Sequence, residues 1–594
     1  MLDIFKRTWL EIDATGRRQL LVLGLAMTAA AVLDVVGVGA IIPFTMLLVQ
    51  PDVLAGNPVL QRLASLTGIS DGRDLMLVLG FGTLAFLVIV NALQVWTTWL
   101  LLDFTWQQGR LLSGRLLASY LARPYAWFLG RHTSNLLNTL FNEVQRTVGS
   151  VLDPALTIVA RGSAALCLIG FLVYLNPFVA LAATALLGGA YVAVFALLRR
   201  MVSRAGVQAR EAREEAHKAA SEALGGIKDV KLNGLGAFML ERYNAPSQGM
   251  ARHEAMVRMM AFAPRYLLEI VALGAFILGA LYLGRTGTAQ STGTAVPLLA
   301  AYAFASYRLL PSIQQLYSSL TVLRFNIVSL EAILADIHGA PTLVPSSTDA
   351  AASFPKGRIE FAQVEFTYPG TEVPVLQGIS DVIEPRTSVA FIGQTGSGKT
   401  TLIDLLMGLL EPTRGQILVD GIALTPANGA GWQSQIGYVP QNLFLTDDTI
   451  AANIAFGIPR AQIDMRRVEK AAQAAHLADF VTTKLEKGYD TIVGERGGRL
   501  SNGQKQRIGI ARALYRDPKV LILDEATSAL DYETEQAVME TVDGLSHALT
   551  IIMIAHRLHT ISGCDAVFEM QNGRLRRVSA DERLARAAGP ETKG

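Results

Sequence analysis

The chain has 594 residues, too many for one compact domain. Hydrophobic residues make up 51% and charged residues 17%, with a mean hydropathy of +0.34, a balance on the membrane side of ordinary globular composition. A net charge of +2 argues against a nucleic-acid binder, and the two cysteines, Cys167 in an apolar run and Cys564 near the C-terminus, argue against a disulfide framework.

Met1 to Gln19 is amphipathic and charged, without a signal-peptide pattern. About 20 apolar residues cross a hydrocarbon core. On that measure six spans are predicted, near Leu20–Val49, Leu75–Leu102, Leu152–Leu175, Phe178–Leu198, Tyr266–Leu283 and Ala295–Leu320. Arg308 and Pro311 interrupt the sixth. Lys6, Arg7, Arg17 and Arg18 precede the first span. Arg110, Arg115, Arg123, Arg131 and Arg146 lie between the second and third, and the segment between the fourth and fifth is the most basic of all. The opposite loops carry only Arg62, Arg73 and Arg285. The positive-inside rule therefore places both termini and the two long loops in the cytoplasm.

Those long loops are rich in Ala, Glu, Arg and Leu, as in Val207–Leu224, and read as helices that continue out of the membrane. Arg123-Pro124, Gly225-Gly226 and Asn233-Gly234 break them, marking turns beside short transverse helices placed to touch a cytoplasmic domain; ordinary linkage is the alternative. In the first outward loop, Val59, Leu60, Leu63 and Leu66 share one helical face. That suits a helix on the outer membrane surface or an ordinary packed one. The expected division is a membrane domain over residues 1–335, a linker over 336–356 rich in Pro, Ser, Thr and Ala, and a soluble domain over 357–594.

The soluble part carries the strongest signal, Gly393-Gln394-Thr395-Gly396-Ser397-Gly398-Lys399-Thr400-Thr401, between an apolar strand and an apolar helix. This is the context of a phosphate-binding P-loop. Glycines turn backbone N–H groups onto phosphates at the positive end of a helix. Lys399 would neutralise the β and γ phosphates, and Thr400 would ligate Mg²⁺. A second apolar strand, Val520 to Leu523, ends in Asp524 and Glu525. Asp524 would hold Mg²⁺ through water and Glu525 would polarise the attacking water; a helix N-cap is the alternative for such a pair taken alone.

With these residues in place, the chain resembles an ATP-binding-cassette exporter half-transporter along nearly its whole length. The resemblance implies a six-helix membrane bundle plus an α/β P-loop nucleotide-binding domain, with ATP and Mg²⁺ as ligands. Tyr368 matches the aromatic that stacks on adenine, and Gln441 the loop glutamine that senses Mg²⁺. Thr491 to Gly497 resembles the exporter-specific loop, and Leu500-Ser501-Asn502-Gly503-Gln504 the family signature. Ser528 to Asp531 matches the dimer-contact loop and His556 the switch histidine. Asn502 departs from the family, which has glycine there; asparagine tolerates a left-handed backbone better than most residues. In the family the signature completes the site of the opposite motor, which implies a dimer, here of two identical chains because all catalytic elements are intact.

For cargo, charges within spans are functional candidates. Arg161, Arg265 and Arg308 suit an anionic headgroup; snorkelling or pairing with a carboxylate such as Glu269 is the alternative. Asp34 also lies within a span. The segments Asp34–Phe44 and Glu222–Lys231 are similar to lipid-linked-oligosaccharide flippases of bacterial protein N-glycosylation. That resemblance implies a bacterial inner membrane, a polyprenyl-pyrophosphate-linked oligosaccharide or similar anionic lipid as cargo, and no nucleic acid. A general lipid or drug exporter of the same fold, and a non-transporting ATP-sensing regulator or channel, remain as alternatives. An importer is disfavoured because motor and membrane domains share one chain.

Overall fold

The computed structural model describes residues 14–49, 71–131, 133–175, 211–286, 289–341, 354–525, 548–555 and 563–579, with isolated positions between them. The expected fourth span, the outer-loop helix, the 342–353 stretch of the linker, the dimer-contact loop and His556 lie outside the described residues. The chain divides into two compact units, 1–121 with 134–341 and 122–133 with 342–594.

The first unit is built from long helices. They are α1 (Ala14–Val49), α2 (Gly72–Leu121), α4 (Asp153–Leu175), α6 (Gly236–Thr286) and α7 (Ala289–His338). At 1.5 Å per residue, the 50 residues of α2 extend about 75 Å, far beyond a ~30 Å hydrocarbon core. The helices thus continue out of the apolar layer, as the loop composition predicted. Among the described residues, 14–48, 72–121 and 135–175 are long and apolar enough to cross a membrane. On α2, Phe81, Leu84, Val88, Trp96 and Trp99 are all exposed. The inward faces of α1, α4 and α7 meet around Val38, Ala165, Leu168, Leu172, Ala305 and Leu309. Two π-helical turns, Thr139–Glu143 and Val148–Leu152, interrupt the approach to α4. At the second, helix backbones come close: a Cβ on Gly109 would lie 2.8 Å from Val148 Cγ2.

The expected transverse helices are present as α3 (Tyr125–Leu129) and α5 (Ile227–Leu232). Pro124 caps the start of α3 with an extended backbone, as a proline at a helix entry should. Gly234 takes φ +64° just past α5, the left-handed stop that glycine supplies cheaply. By its contacts, α3 belongs to the second unit, where Ala126 packs against the soluble core.

The second unit holds two sheets. One is antiparallel, in the order β2 (Leu376–Ile383), β1 (Ile359–Phe366), β4 (Arg414–Val419), β5 (Ile422–Ala423). The other runs β10 (Arg574–Arg577), β9 (Ala566–Gln571), β3 (Ser388–Ile392), β8 (Thr550–Ile554), β7 (Val520–Asp524), β6 (Ile436–Val439), parallel except for β10. Its central strands are apolar throughout because both faces are covered. Ile392, Leu521, Leu523, Ile551 and Met553 enter one core, while Phe391, Val520, Ile522, Ile552 and Ile554 enter the other. This alternation fixes the register, since a slip of one residue would exchange the two faces. It also aims the C-terminal ends of β3 and β7 at one edge of the sheet, where parallel α/β folds bind ligands.

Candidate functional site: a nucleotide pocket at the sheet edge

From Ile392 the backbone turns sharply through the P-loop into α8 (Lys399–Leu406). Gly393, Gly396 and Gly398 take φ of +146°, +81° and +105°. Space as well as conformation demands glycine at two of them. A Cβ on Gly393 would lie 2.3 Å from the Met570 carbonyl oxygen, and one on Gly398 would lie 2.8 Å from Leu376 Cδ2. Lys399, 7% exposed, donates from Nζ to the carbonyls of Gly393 and Gln394 at 2.7 and 2.9 Å, holding the loop in a ring. Burial lowers the Lys399 pKa against the pull of Glu525 and Asp524. Ser397 Oγ is buried without a hydrogen-bond partner among the described residues. An orphaned donor inside a glycine cradle fits a phosphate oxygen. Gln394, Thr395 and Thr400 are exposed, while Thr401 is buried and meets the Tyr368 hydroxyl at 2.9 Å. Tyr368 is braced edge-on by Phe366, with ring centroids 4.9 Å apart.

Asp524 ends β7 at 7% exposure and accepts a hydrogen bond from the Tyr438 hydroxyl at 3.3 Å. Burial raises its pKa, with Glu525 adding to the rise and Tyr438 and Lys399 opposing it. Glu525 takes φ +50°, an uncommon conformation for a non-glycine residue and one that clusters at functional sites. Gln441 Nε2 donates to its Oε2 at 2.6 Å. Two residues far apart in sequence thus meet at the sheet edge. The side chains expected to hold Mg²⁺, those of Thr400, Gln441 and Asp524, offer hard oxygen donors, the chemistry that a nucleotide-borne Mg²⁺ takes.

Ser501 begins α9 (Asn502–Tyr515) as its N-cap. Its Oγ accepts from Gln504 N at 3.3 Å, and the Gln504 side chain accepts from Ser501 N at 2.9 Å. Asn502 is the first helical residue and does not take positive φ, so the left-handed tolerance invoked for it from sequence is not used. Ser501 and Asn502 are exposed, and Gly503 is half-buried.

Two residues that sequence reasoning passed over interact with Asp524. Tyr438 stands three positions before Gln441, so its motif could have revealed it. Its hydroxyl is pushed far above its ordinary pKa by burial and then by Asp524 and Asp404. Asp404, on α8, is 8% exposed, and burial followed by the Asp524 charge lifts its pKa to about 6. On α3, Tyr125 is shifted upward by burial and then by Asp404 and Tyr368.

In the membrane unit, Arg308 Nη1 lies 3.3 Å from Asp34 Oδ1 and 3.4 Å from Asn91 Oδ1. Arg161 acts on the same Asp34 carboxylate. The side chain of Arg265 lies outside the described residues.

Comparison with known proteins agrees with this geometry. Residues 376–528 match the family described as ABC transporter, and residues 59–309 match the ABC transporter transmembrane region. An ATP-dependent lipid A-core flippase of Saccharophagus degradans is 32% identical over 458 residues, 76% of this chain and 75% of the relative. One of Burkholderia orbicola is 33% identical over 468 residues, 78% of this chain and 77% of the relative. The solved structure of a bacterial Atm1-family ABC exporter with ATP bound superposes with a TM-score of 0.76 at 22% identity, over 98% of this chain and all of that one. The chain belongs to the ABC transporters. It is an integral membrane exporter whose own ATPase domain binds ATP and couples its hydrolysis to transport.

Proposed function

We propose that two identical copies of this chain form a flippase that moves a phosphate-bearing, anionic lipid from the cytoplasmic leaflet of a bacterial inner membrane, with both termini cytoplasmic. A polyprenyl-pyrophosphate-linked oligosaccharide is the cargo favoured by the sequence. The relatives at 32–33% identity are named as lipid A-core flippases, which supports a lipid cargo. The observation that carries the ATPase half of this reading is the Gln441–Glu525 hydrogen bond of 2.6 Å beside Asp524.

In this reading the P-loop backbone and Ser397 receive the phosphates, and Lys399 leaves the Gly393 and Gln394 carbonyls for them. Mg²⁺, held by Thr400, Gln441 and Asp524, would neutralise charge on the phosphates. Glu525 orients the attacking water, and Gln441 holds Glu525 until nucleotide arrives. His556 takes the part of the family's switch histidine. Tyr368 packs on adenine. Ser501 and Gly503 of one chain close over the nucleotide of the other, with Asn502 and Gln504 setting the start of α9. Closure requires ATP because its charges take donors from both motors, a population shift driven by differential affinity. In the membrane, Arg161 and Arg308, with Arg265, meet the headgroup. The domain limits follow the sequence reading: residues 1–335 for the membrane domain and 357–594 for the motor.

The test is ATPase activity of the purified chain in liposomes, with and without polyprenyl-pyrophosphate glycan or lipid A. Glu525→Gln should lower turnover by at least about 100-fold, the scale of losing a positioned base. Turnover that one of these lipids stimulates several-fold supports the cargo reading. Robust turnover indifferent to both overturns it and favours a general lipid or drug exporter.

A further inference from the structure

The polar cluster inside the membrane unit is served by four helices. Asp34 comes from α1, Asn91 and Gln94 from α2, Arg161 from α4 and Arg308 from α7. Apolar residues frame it: Val35 and Val38 beside Asp34, Ala165 beyond Arg161, and Ala305 and Leu309 around Arg308. The Asp34 and Arg308 side chains are 9% and 15% exposed. Among the described residues the charges do not balance, since Arg308 in contact and Arg161 within electrostatic range both answer the one Asp34 carboxylate. The contact is also loose. One Nη1 serves both Asp34 and Asn91 at distances beyond the usual 2.7–3.2 Å, and Arg308 Nε is buried without a hydrogen-bond partner among the described residues.

Its depth is legible on α2. Trp96, Trp99 and Trp106 are exposed on that helix, as tryptophans are at a membrane interface. They lie toward the end that carries Arg110 and Arg115. Asn91 stands five residues earlier than Trp96, about 8 Å deeper by helix rise. By the spans read from the sequence, Asp34, Asn91 and Arg308 each lie more than ten residues from either end, so the cluster sits near the middle of the apolar layer, in the interior that a translocated headgroup has to cross.

We propose that Asp34 is a stand-in anion that sets cargo specificity: its carboxylate occupies the Arg308–Arg161 pair until a multiply charged phosphate headgroup displaces it. This rests on the anionic-lipid reading above and adds the residue that discriminates within it. An arginine left unpaired in an apolar bundle is costly, so Asp34 keeps the cluster tolerable between transport cycles. Arginine pairs with phosphate through two parallel N–H bonds at about 2.7–2.9 Å. A phosphate entering here gains the Nε edge that Asp34 leaves unused, and Asp34 falls back on Gln94. A headgroup with two or more negative charges outcompetes the carboxylate. A single-charged phosphodiester must match it one for one and gains little. Asp34 thereby selects lipids bearing a diphosphate or more than one phosphate over ordinary anionic phospholipids.

The experiment measures ATPase stimulation of the full-length chain in phosphatidylcholine nanodiscs titrated with polyprenyl pyrophosphate, lipid A or phosphatidylglycerol. Wild type should respond to one of the first two and little to the third; which one responds separates the two sources of phosphate. Asp34→Asn should lower the half-stimulating concentration about tenfold, because the competing occupied state is removed, and phosphatidylglycerol should become a stimulator. Asp34→Glu should restore the wild-type ranking. Arg308→Lys keeps the ion pair without the two-pronged edge, and should lose the preference for multiple phosphates even where Asp34→Asn cannot be purified. If wild type responds to a phosphorylated lipid while Asp34→Asn or Arg308→Lys keeps its ranking and half-point, Asp34 is structural only and the proposal falls alone. If no phosphorylated lipid stimulates wild type, the anionic-lipid reading falls and takes this proposal with it.

Discussion

At five positions beyond Lys399, Asp404 lies about one and a half turns along α8, buried behind the nucleotide pocket beside Asp524. A carboxylate there resists ionisation because burial strips its hydration and Asp524 repels it, so its pKa rises from 3.8 to about 6. The sign of the consequence follows from proton counting. Between these values the folded chain holds a proton that the unfolded chain has lost, so stability falls as pH rises through about 4 to 6 and the penalty persists above. At neutral pH the cost is at most about 3 kcal/mol, two pKa units at 1.36 kcal/mol each. Asp404→Asn should therefore raise the melting temperature of the purified chain at pH 7.5, with a smaller gain at pH 5. Equal gains at the two pH values would mean that the carboxylate is not the source of the penalty. A residue kept against such a cost suits a pocket edge, where like charges concentrate field on a bound cation.

The elements carrying these residues differ in how far their sequences announce them. α9 opens with a reciprocal cap between Ser501 and Gln504, a spacing that marks a helix start on sight. The conformation of Asn502 was less legible. A position usually held by glycine suggests a left-handed turn, but the cap sets Asn502 in the first helical turn, where glycine is the poorer residue. Asn502→Gly should therefore lower stability by a few tenths to about 1 kcal/mol and leave ATPase turnover within about twofold. Thermal melting and steady-state ATPase check both, and a large change in turnover would give Asn502 a direct part in the chemistry. The P-loop was readable because its strand, glycines and helix are contiguous, and each glycine answers a local demand such as the 2.3 Å approach at Gly393. The Tyr438–Asp524 bond and the Arg308–Asp34 pair were not readable as partners. They join residues far apart in the chain, and only the sheet order and the helix packing bring them together. The same limit hid Asp404, which reads as an ordinary polar residue of an amphipathic helix until β6 and β7 are laid beside it.

At the scale of the whole molecule, the decisive question is which chain completes which ATP site. Ser501 and Asn502 are exposed, although neither has a visible reason to be kept there for its own fold beyond the cap. If the signature acts on the P-loop of a second copy, each site is composite, and a two-fold dimer has two of them. Two inactive chains then rescue each other. Lys399→Ala disables a P-loop but keeps an intact signature, and Ser501→Arg does the reverse. In a mixed dimer one site combines both defects, while the other takes its P-loop from the Ser501→Arg chain and its signature from the Lys399→Ala chain, and is whole. Random assembly of equal amounts makes half the dimers mixed. With one working site in each, co-expression should restore about a quarter of wild-type ATPase if the sites fire independently, whereas each variant alone stays near zero. Recovery well below that value, with mixed dimers present by differential tagging, would mean that the two sites must fire together. No recovery at all is the result for strict joint firing and for sites built within one chain alike; pairing wild type with the double variant Lys399→Ala/Ser501→Arg separates them, since mixed dimers keep one working site only if each chain builds its own.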